Sequence, residues 1–240
     1  MKAYEPIQMQ RDIALFIFGD HASRHIPAKF NDLGLSGADL TRHIAWDIGT
    51  ADIIRALCGH FGSAGQLATA SRLVVDLNRD INADGLIPID SDGTLIPGNQ
   101  NLSPAERQTR IDKFYTPYHA ALSDHIGKRR DDPLIISLHS FTPKPLTGSA
   151  RHVDIGLLVK HDIETAQHFL NSFKRIAPDF VLGMNEPYSA FDLNHTVDMH
   201  IGPRGLRHLA IELRQDHISS QDGVTQMTRY LIRAIQALIE

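Results

Sequence analysis

Apolar and polar positions along this chain fall into short blocks with two different periods. Ile13-Ala-Leu-Phe-Ile-Phe18 is apolar and β-prone, and Gly19-Asp20 closes it, which predicts a buried strand opening into a loop. Ser36–Arg42 reads as a short capped helix. Between Thr50 and Phe61, Ile53, Ile54 and Leu57 recur at helical spacing and Gly62 ends the pattern. Gln66–Ala70 and Leu73–Leu77 are candidate strands. Ser103-Pro-Ala-Glu106 fits a capping box with proline at the first helical position, so a helix is expected toward Arg129, bent or interrupted by Pro117. Leu134–Leu138 predicts a strand that delivers His139, and His152–Val159 predicts another. Asp162 caps a helix through Ile176. Val181–Met184 and Leu209–Leu213 are strands, and Asp222 opens a last helix. Strands alternating with helices imply an α/β sandwich with a mostly parallel sheet. The stretch from Arg79 to Asn101 is polar, rich in Gly and Pro, and long for a connection, as functional loops are. No repeat or shift of composition divides the chain, so residues 1–240 are expected to form one domain.

Composition narrows the classes of function. Apolar residues make up 42% and charged residues 22%, enough for a sizeable core in a globular protein. A net charge of −4 gives no nucleic-acid footprint. Apolar runs stop after about six residues, against the roughly 20 a bilayer-spanning helix needs. The opening MKAYEPIQMQRD has no long apolar stretch after Lys2 and does not read as a signal peptide. Cys58 is the only cysteine, which excludes an internal disulfide and a Cys-rich metal site, and a cytoplasmic protein is expected. The 14 histidines are many for this length and direct attention to metal geometry.

In α/β sheets ligands gather outside the carboxyl ends of strands. Four predicted strands here run into polar residues able to do chemistry: Asp20-His21, Asp76-Leu-Asn78-Arg79-Asp80, His139-Ser140, and Glu212, which stands where an alternating pattern would place Ile or Val. Two imidazoles and a carboxylate suit zinc with an open position, and a further glutamate beside that position suits proton transfer. An arginine and an asparagine on a neighbouring loop suit a substrate carboxylate. Each residue also has a structural reading. His21 and His139 are either ligands or paired core histidines. Asp47 can cap the helix near Thr50. Glu212 is otherwise half of an ion pair with Arg72 or Arg214, and Arg79 otherwise neutralises Asp76 or Asp80. His119 and His200 either line the site or support it, and His60, His125, His161 and His168 are expected at the surface. Asp80-Ile-Asn82-Ala-Asp84-Gly85 matches half of a calcium loop, but Ser91 stands where the bidentate Glu belongs, so a turn is expected.

The strings HASRHIP, HIAWD, SRLVVDLNRD, YTPYH, LHSF, NEPYS and IELRQD, in that order, resemble the N-formylglutamate amidohydrolase family, itself similar to the zinc carboxypeptidases. The resemblance runs from the first strand to the last. It implies a three-layer α/β/α sandwich with a mixed, mostly parallel sheet and one catalytic zinc per chain. It places His21 and His139 as ligands, Asp47 as the third ligand with Asp20 as rival, and Glu212 as general base. Arg79 and Asn78 would grip the substrate carboxylate with Arg72 in support. In the carboxypeptidases the carboxylate ligand stands three residues after the first histidine, where this chain has Arg24. The implied substrate is a small N-acyl amino acid, N-formyl-L-glutamate by the family name. The rivals are a carboxypeptidase or cell-wall amidase, and a non-catalytic binding protein with a degenerate site.

Overall fold

The computed structural model describes residues 2–128 and 132–239 and centres on one seven-stranded sheet. In chain order the strands are β1 (Tyr4–Ile7), β2 (Leu15–Gly19), β3 (Ala64–Ala68), a separate hairpin of β4 (Asp90–Ser91) and β5 (Thr94–Leu95), then β6 (Leu134–Phe141), β7 (Ile155–Leu158), β8 (Leu182–Met184) and β9 (His208–Arg214). The sheet order is β1-β3-β2-β6-β9-β7-β8, with β1 and β7 antiparallel to their inner neighbours β3 and β9 and the other pairs parallel. This is the mixed, mostly parallel α/β sandwich the strand–helix alternation predicts.

Side-chain alternation divides the core in two. Leu134, Ile136 and Leu138 of β6 and Leu209, Ile211 and Leu213 of β9 pack with α1 (Thr50–Phe61), α4 (Ile163–Ile176) and α6 (Gln221–Ile239). On the other face Phe16, Phe18, Ile135 and Ala210 meet the turn that follows α2 (Pro104–Arg110), α3 (Thr116–Gly127) and α5 (His195–His200) together with the buried loop Leu73–Leu77. The second face also carries His139 and Glu212, because each is one step out of phase with the apolar residues beside it.

The helices start where the local chemistry allows. Ser103 and Glu106 form the reciprocal cap, and Asp162 accepts from the Thr165 amide. Pro117 has no N–H to continue the ladder from α2, and the backbone makes a π turn over Ile111–Tyr115 before α3 resumes. The expected end of that helix at Arg129 lies outside the described residues. Ser36–Arg42 tightens only to a 3₁₀ turn, Asp39–Thr41, and β6 runs three residues past Leu138 because its ladder with β9 continues through Phe141. His125, expected at the surface, is half-buried, with its ring 4.6 Å from that of Phe16. No helix among the described residues is long and apolar enough to cross a membrane.

One predicted strand does not exist. Leu73–Leu77 is buried throughout, as its sequence suggests, but pairs with no strand. Its carbonyls are met by side chains instead: Asn99 and Arg110 donate to Leu73 and Val74, and His119 and Thr196 donate to Leu77. Burial of a backbone demands hydrogen-bond partners, and four polar side chains here do what a neighbouring strand would have done. The half-matched calcium loop is likewise a turn, in which Asp80 accepts from the Asn82 amide.

Candidate active site

Three parallel strands at the middle of the sheet, β2, β6 and β9, bring their carboxyl ends to one place. His21 follows β2. Its Nε2 donates to Asp76 at 2.7 Å, which leaves Nδ1 buried, without a hydrogen-bond partner and facing Asp47 at 3.4 Å. His139 sits on β6 with Nε2 2.9 Å from Ser137 Oγ and Nδ1 2.9 Å from the same Asp47 oxygen. Asp47 is held there by its own amide, which donates to the His21 carbonyl at 2.9 Å. Gly49, at φ 82°, then turns the chain into α1, and a side chain at that position would strike the Ile218 carbonyl. Gly49, not Asp47, occupies the helix cap, so the Asp47 carboxylate is free to face the two imidazoles.

One donor atom each from His21, Asp47 and His139 lies within 4.8 Å of the others, all three side chains buried. Among the described residues this is the sole such group. Asp20, the rival ligand, sits elsewhere: it accepts from Tyr118 at 2.8 Å and approaches His139 only from the Nε2 side, at 3.7 Å.

The electrostatics of the group call for positive charge. Burial and Arg72 disfavour a proton on His21, yet Asp76 and Asp47 outweigh them and lift its pKa to about 9. Burial also opposes charge on Asp47, but His21 and the hydrogen bond from His139 hold its carboxyl below the usual carboxylate range. Asp76 is held low in the same way, against burial, by Arg72 and His21. The sequence places Asp76 among the polar residues at strand ends and offers it as a counter-ion for Arg79, not as the partner of His21. The available signal was its place in the cluster Asp76-Leu-Asn78-Arg79-Asp80. A carboxylate behind a ligating imidazole fixes its tautomer and raises its basicity, and loss of such a partner typically costs about 10–100-fold in metal affinity. Asp76→Asn is therefore expected to weaken metal binding by about that factor while the fold persists, as measured by competition with a chromophoric chelator.

Glu212 lies directly across from His139 in the β6–β9 ladder and is 7% exposed. Neither Arg72 nor Arg214 pairs with it. Arg214 is bound to Asp154 and Asp216, and Arg72 reaches Asp76 at 2.8 Å and Asp47 at 3.4 Å. Burial, against the opposing pull of His139, pushes the Glu212 carboxyl up to about 7. A buried carboxyl with no hydrogen bond among the described residues is costly to keep, and such groups cluster where proton transfer is needed.

The group opens into a chamber of about 170 Å³ lined by His21, Asp47, His139, Glu212, Asn78 and Arg79, among others. That is small beside the roughly 300–1,000 Å³ of drug-sized pockets, and it suits a substituent of a small molecule better than a peptide. Arg79 has no carboxylate within 4.0 Å among the described residues, so it forms no ion pair with Asp76 or Asp80, although its charge helps to hold the Asp76 carboxyl low. Asn78 is tied by its Oδ1 to the Thr196 amide, and Tyr115, re-aimed by the π turn, donates to the Arg79 carbonyl. Arg24 is exposed, its guanidinium 5.6 Å from the Trp46 ring centre.

His119 and His200 stand behind this loop. His119 Nε2 holds the Leu77 carbonyl, so its Nδ1 accepts from His200 Nε2 at 2.9 Å. Burial depresses the His119 pKa to about 4. The unfolded chain therefore binds a proton that the folded one refuses, and stability falls as pH drops from about 6.5 to about 4, by an amount of order 3 kcal/mol. Denaturant titrations at pH 6.5 and 4.5 should show this loss in the wild type and a smaller one in His119→Gln.

Donors converging on one point beside an unpaired glutamate, above the ends of parallel strands, form an α/β site that could hold a cation next to an acid–base group. Comparison with known proteins gives the chain its family. The sequence model of N-formylglutamate amidohydrolase matches residues 13–219, and the chain belongs to that family. A gene product of Agrobacterium tumefaciens superposes with a TM-score of 0.93 at 32% identity, covering 99% of this chain and 95% of its own. The N-formylglutamate amidohydrolase of Ralstonia eutropha JMP134 shares the fold, with a TM-score of 0.77 at 20% identity over 99% and 98% of the two chains. No curated protein matches the chain. The protein is thus a hydrolase of linear amides.

Proposed function

We propose that this enzyme is a zinc-dependent deformylase of N-formyl-L-glutamate, holding one zinc ion per chain. The observation that carries the reading is Glu212: a buried, unpaired carboxyl in register with His139, at the edge of the only His/Asp/His group among the described residues, with an unpaired Arg79 on the same chamber wall. The donor set fits zinc. His21 presents a buried Nδ1 with no other partner, Asp47 faces both imidazoles, and two histidines with one carboxylate leave a position open. When bound, zinc supplies a Lewis acid that polarises a carbonyl and lowers the pKa of water toward neutrality.

The chain's own residues supply the rest. Arg79 grips the α-carboxylate through paired charge-assisted bonds, with Asn78 beside it. Glu212 takes one proton from water as its oxygen adds to the formyl carbon. It returns that proton to nitrogen as the carbon–nitrogen bond breaks, so that formate and the amino acid leave. Arg72 keeps Asp47 and Asp76 in place while its edge lines the chamber.

The test is turnover by zinc-loaded protein of N-formyl-L-glutamate, N-formyl-L-glutamine and the α-amide of N-formylglutamate. The first should be preferred and the α-amide should fail. Indifference to the α-carboxylate would sink the role of Arg79. Arg79→Lys keeps charge but not the two-pronged geometry, and kcat/KM should fall by about 10- to 100-fold.

A further inference from the structure

The unclaimed feature is a second cation. Beyond the inner chamber, and sharing His43, Arg72 and Tyr188 with it, lies an outer chamber of about 420 Å³. Arg151 is on its wall, stacked with its guanidinium carbon 4.7 Å from the Tyr188 ring centre and 5.7 Å from that of Phe141. Its one hydrogen bond from the guanidinium is to the Thr142 carbonyl, at 3.1 Å, and no carboxylate among the described residues lies within 4.0 Å. The nearby Asp92 is already committed, accepting from the Leu146 and Thr147 amides and from Arg42, and so latches the loop after β6 to the β4–β5 hairpin.

The placement has local causes. A side chain at Gly156 would collide with the Glu186 carbonyl, so its absence lets the Glu186–Pro187 segment lie directly on β7 and brings Tyr188 to the cavity. Contact with the Tyr188 and Phe141 rings then restricts the guanidinium, which lowers the entropy lost when an anion is gripped. The arginines that sequence alone offers for a second carboxylate are elsewhere engaged or absent from the cavity. Arg214 is paired with Asp154 and Asp216, Arg72 with Asp47 and Asp76, and Arg204 lines neither chamber.

We infer that Arg151 is the specificity-determining residue for a second, side-chain carboxylate of the substrate, so that the joined chambers read an N-acylated dicarboxylic amino acid. Arg79 and Arg151 are the two arginines of the joined chambers with no carboxylate within 4.0 Å among the described residues, on the inner and outer chambers respectively, and each matches one carboxylate. The inference rests on the proposed amino-acid deformylase reading and extends it to the side chain.

The experiment compares kcat/KM for N-formyl-L-glutamate over N-formyl-L-glutamine in zinc-loaded wild type, Arg151→Gln and Arg151→Lys, with thermal unfolding as the folding check. The ratio should fall by about 10- to 100-fold in Arg151→Gln and by less in Arg151→Lys, which keeps the charge. An unchanged ratio in the folded variants overturns the inference. Calorimetric binding of L-glutamate and L-glutamine separates the two levels. Wild type that binds both equally, or neither, overturns the role of Arg151 whatever the turnover. Wild type that prefers glutamate, with the preference lost in the Arg151 variants, yet deformylates nothing, overturns only the deformylase reading.

Discussion

Glu212→Gln is expected to fold, to bind zinc as the wild type does, and to lose about 10²–10⁴-fold in kcat. The amide keeps the shape of the carboxyl at a site 7% exposed, so packing against β6 and β7 is preserved. What disappears is the group proposed to accept a proton and give it back. Burial pushes the Glu212 carboxyl up to about 7, against the pull of His139. A cation held by the neighbouring ligands works in the same direction as His139 and favours the carboxylate, the form a base requires. The substitution also relieves an unpaired buried acid, so Glu212→Gln should unfold at a temperature equal to or above that of the wild type. Catalytic groups often sit where they cost stability, and a gain in Tm joined to a loss of turnover would show that relation here. Steady-state kinetics with parallel metal analysis decides the matter. Retention of more than about a tenth of wild-type turnover removes Glu212 from proton transfer.

Much of this site is legible in sequence because strand ends are. His21, His139 and Glu212 each interrupt or terminate an apolar pattern at the carboxyl end of a strand, and a buried polar residue at such a point needs a reason. Asp47 was legible only through the resemblance of its surroundings, since a helix cap explained it equally well until Gly49 was seen in that place. Leu73–Leu77 misled for a physical reason. Apolar composition reports burial, and burial of a backbone can be satisfied by Asn99, Arg110, His119 and Thr196 as well as by a neighbouring strand. Those partners come from distant parts of the chain, beyond the reach of any local pattern. Arg151 was illegible for the same reason. It ends a Pro- and Gly-containing loop with no periodicity, and its place depends on Asp92, Tyr188 and Phe141.

His139→Ala should lose most of its bound metal and, with it, essentially all turnover, whereas Asp47→Asn tests the charge of the site at nearly constant shape. The two substitutions act through different quantities. Removing the imidazole deletes one of three donors and leaves Asp47 Oδ2 without its 2.9 Å partner, in a place where burial opposes a free carboxylate. The asparagine keeps an oxygen facing His21 and His139 but removes the negative charge that, with Asp76, makes the group attractive to a cation. Arg72 lies 3.4 Å from Asp47 and would then keep only Asp76, at 2.8 Å, as a counter-ion beside the same donors. Asp47→Asn should therefore weaken metal binding by more than Asp76→Asn, whose own loss is about 10–100-fold, because Asp47 faces both imidazoles whereas Asp76 bonds to His21 alone of the two. Elemental analysis of the purified variants and chelator competition give the order directly. Unchanged zinc content in His139→Ala would make His139 a core residue bonded to Ser137, and unchanged affinity in Asp47→Asn would transfer the third ligand to Asp20. For Asp20 to serve, His139 would have to turn its Nε2 away from Ser137 and toward the metal, since Asp20 meets that ring only on its Nε2 side.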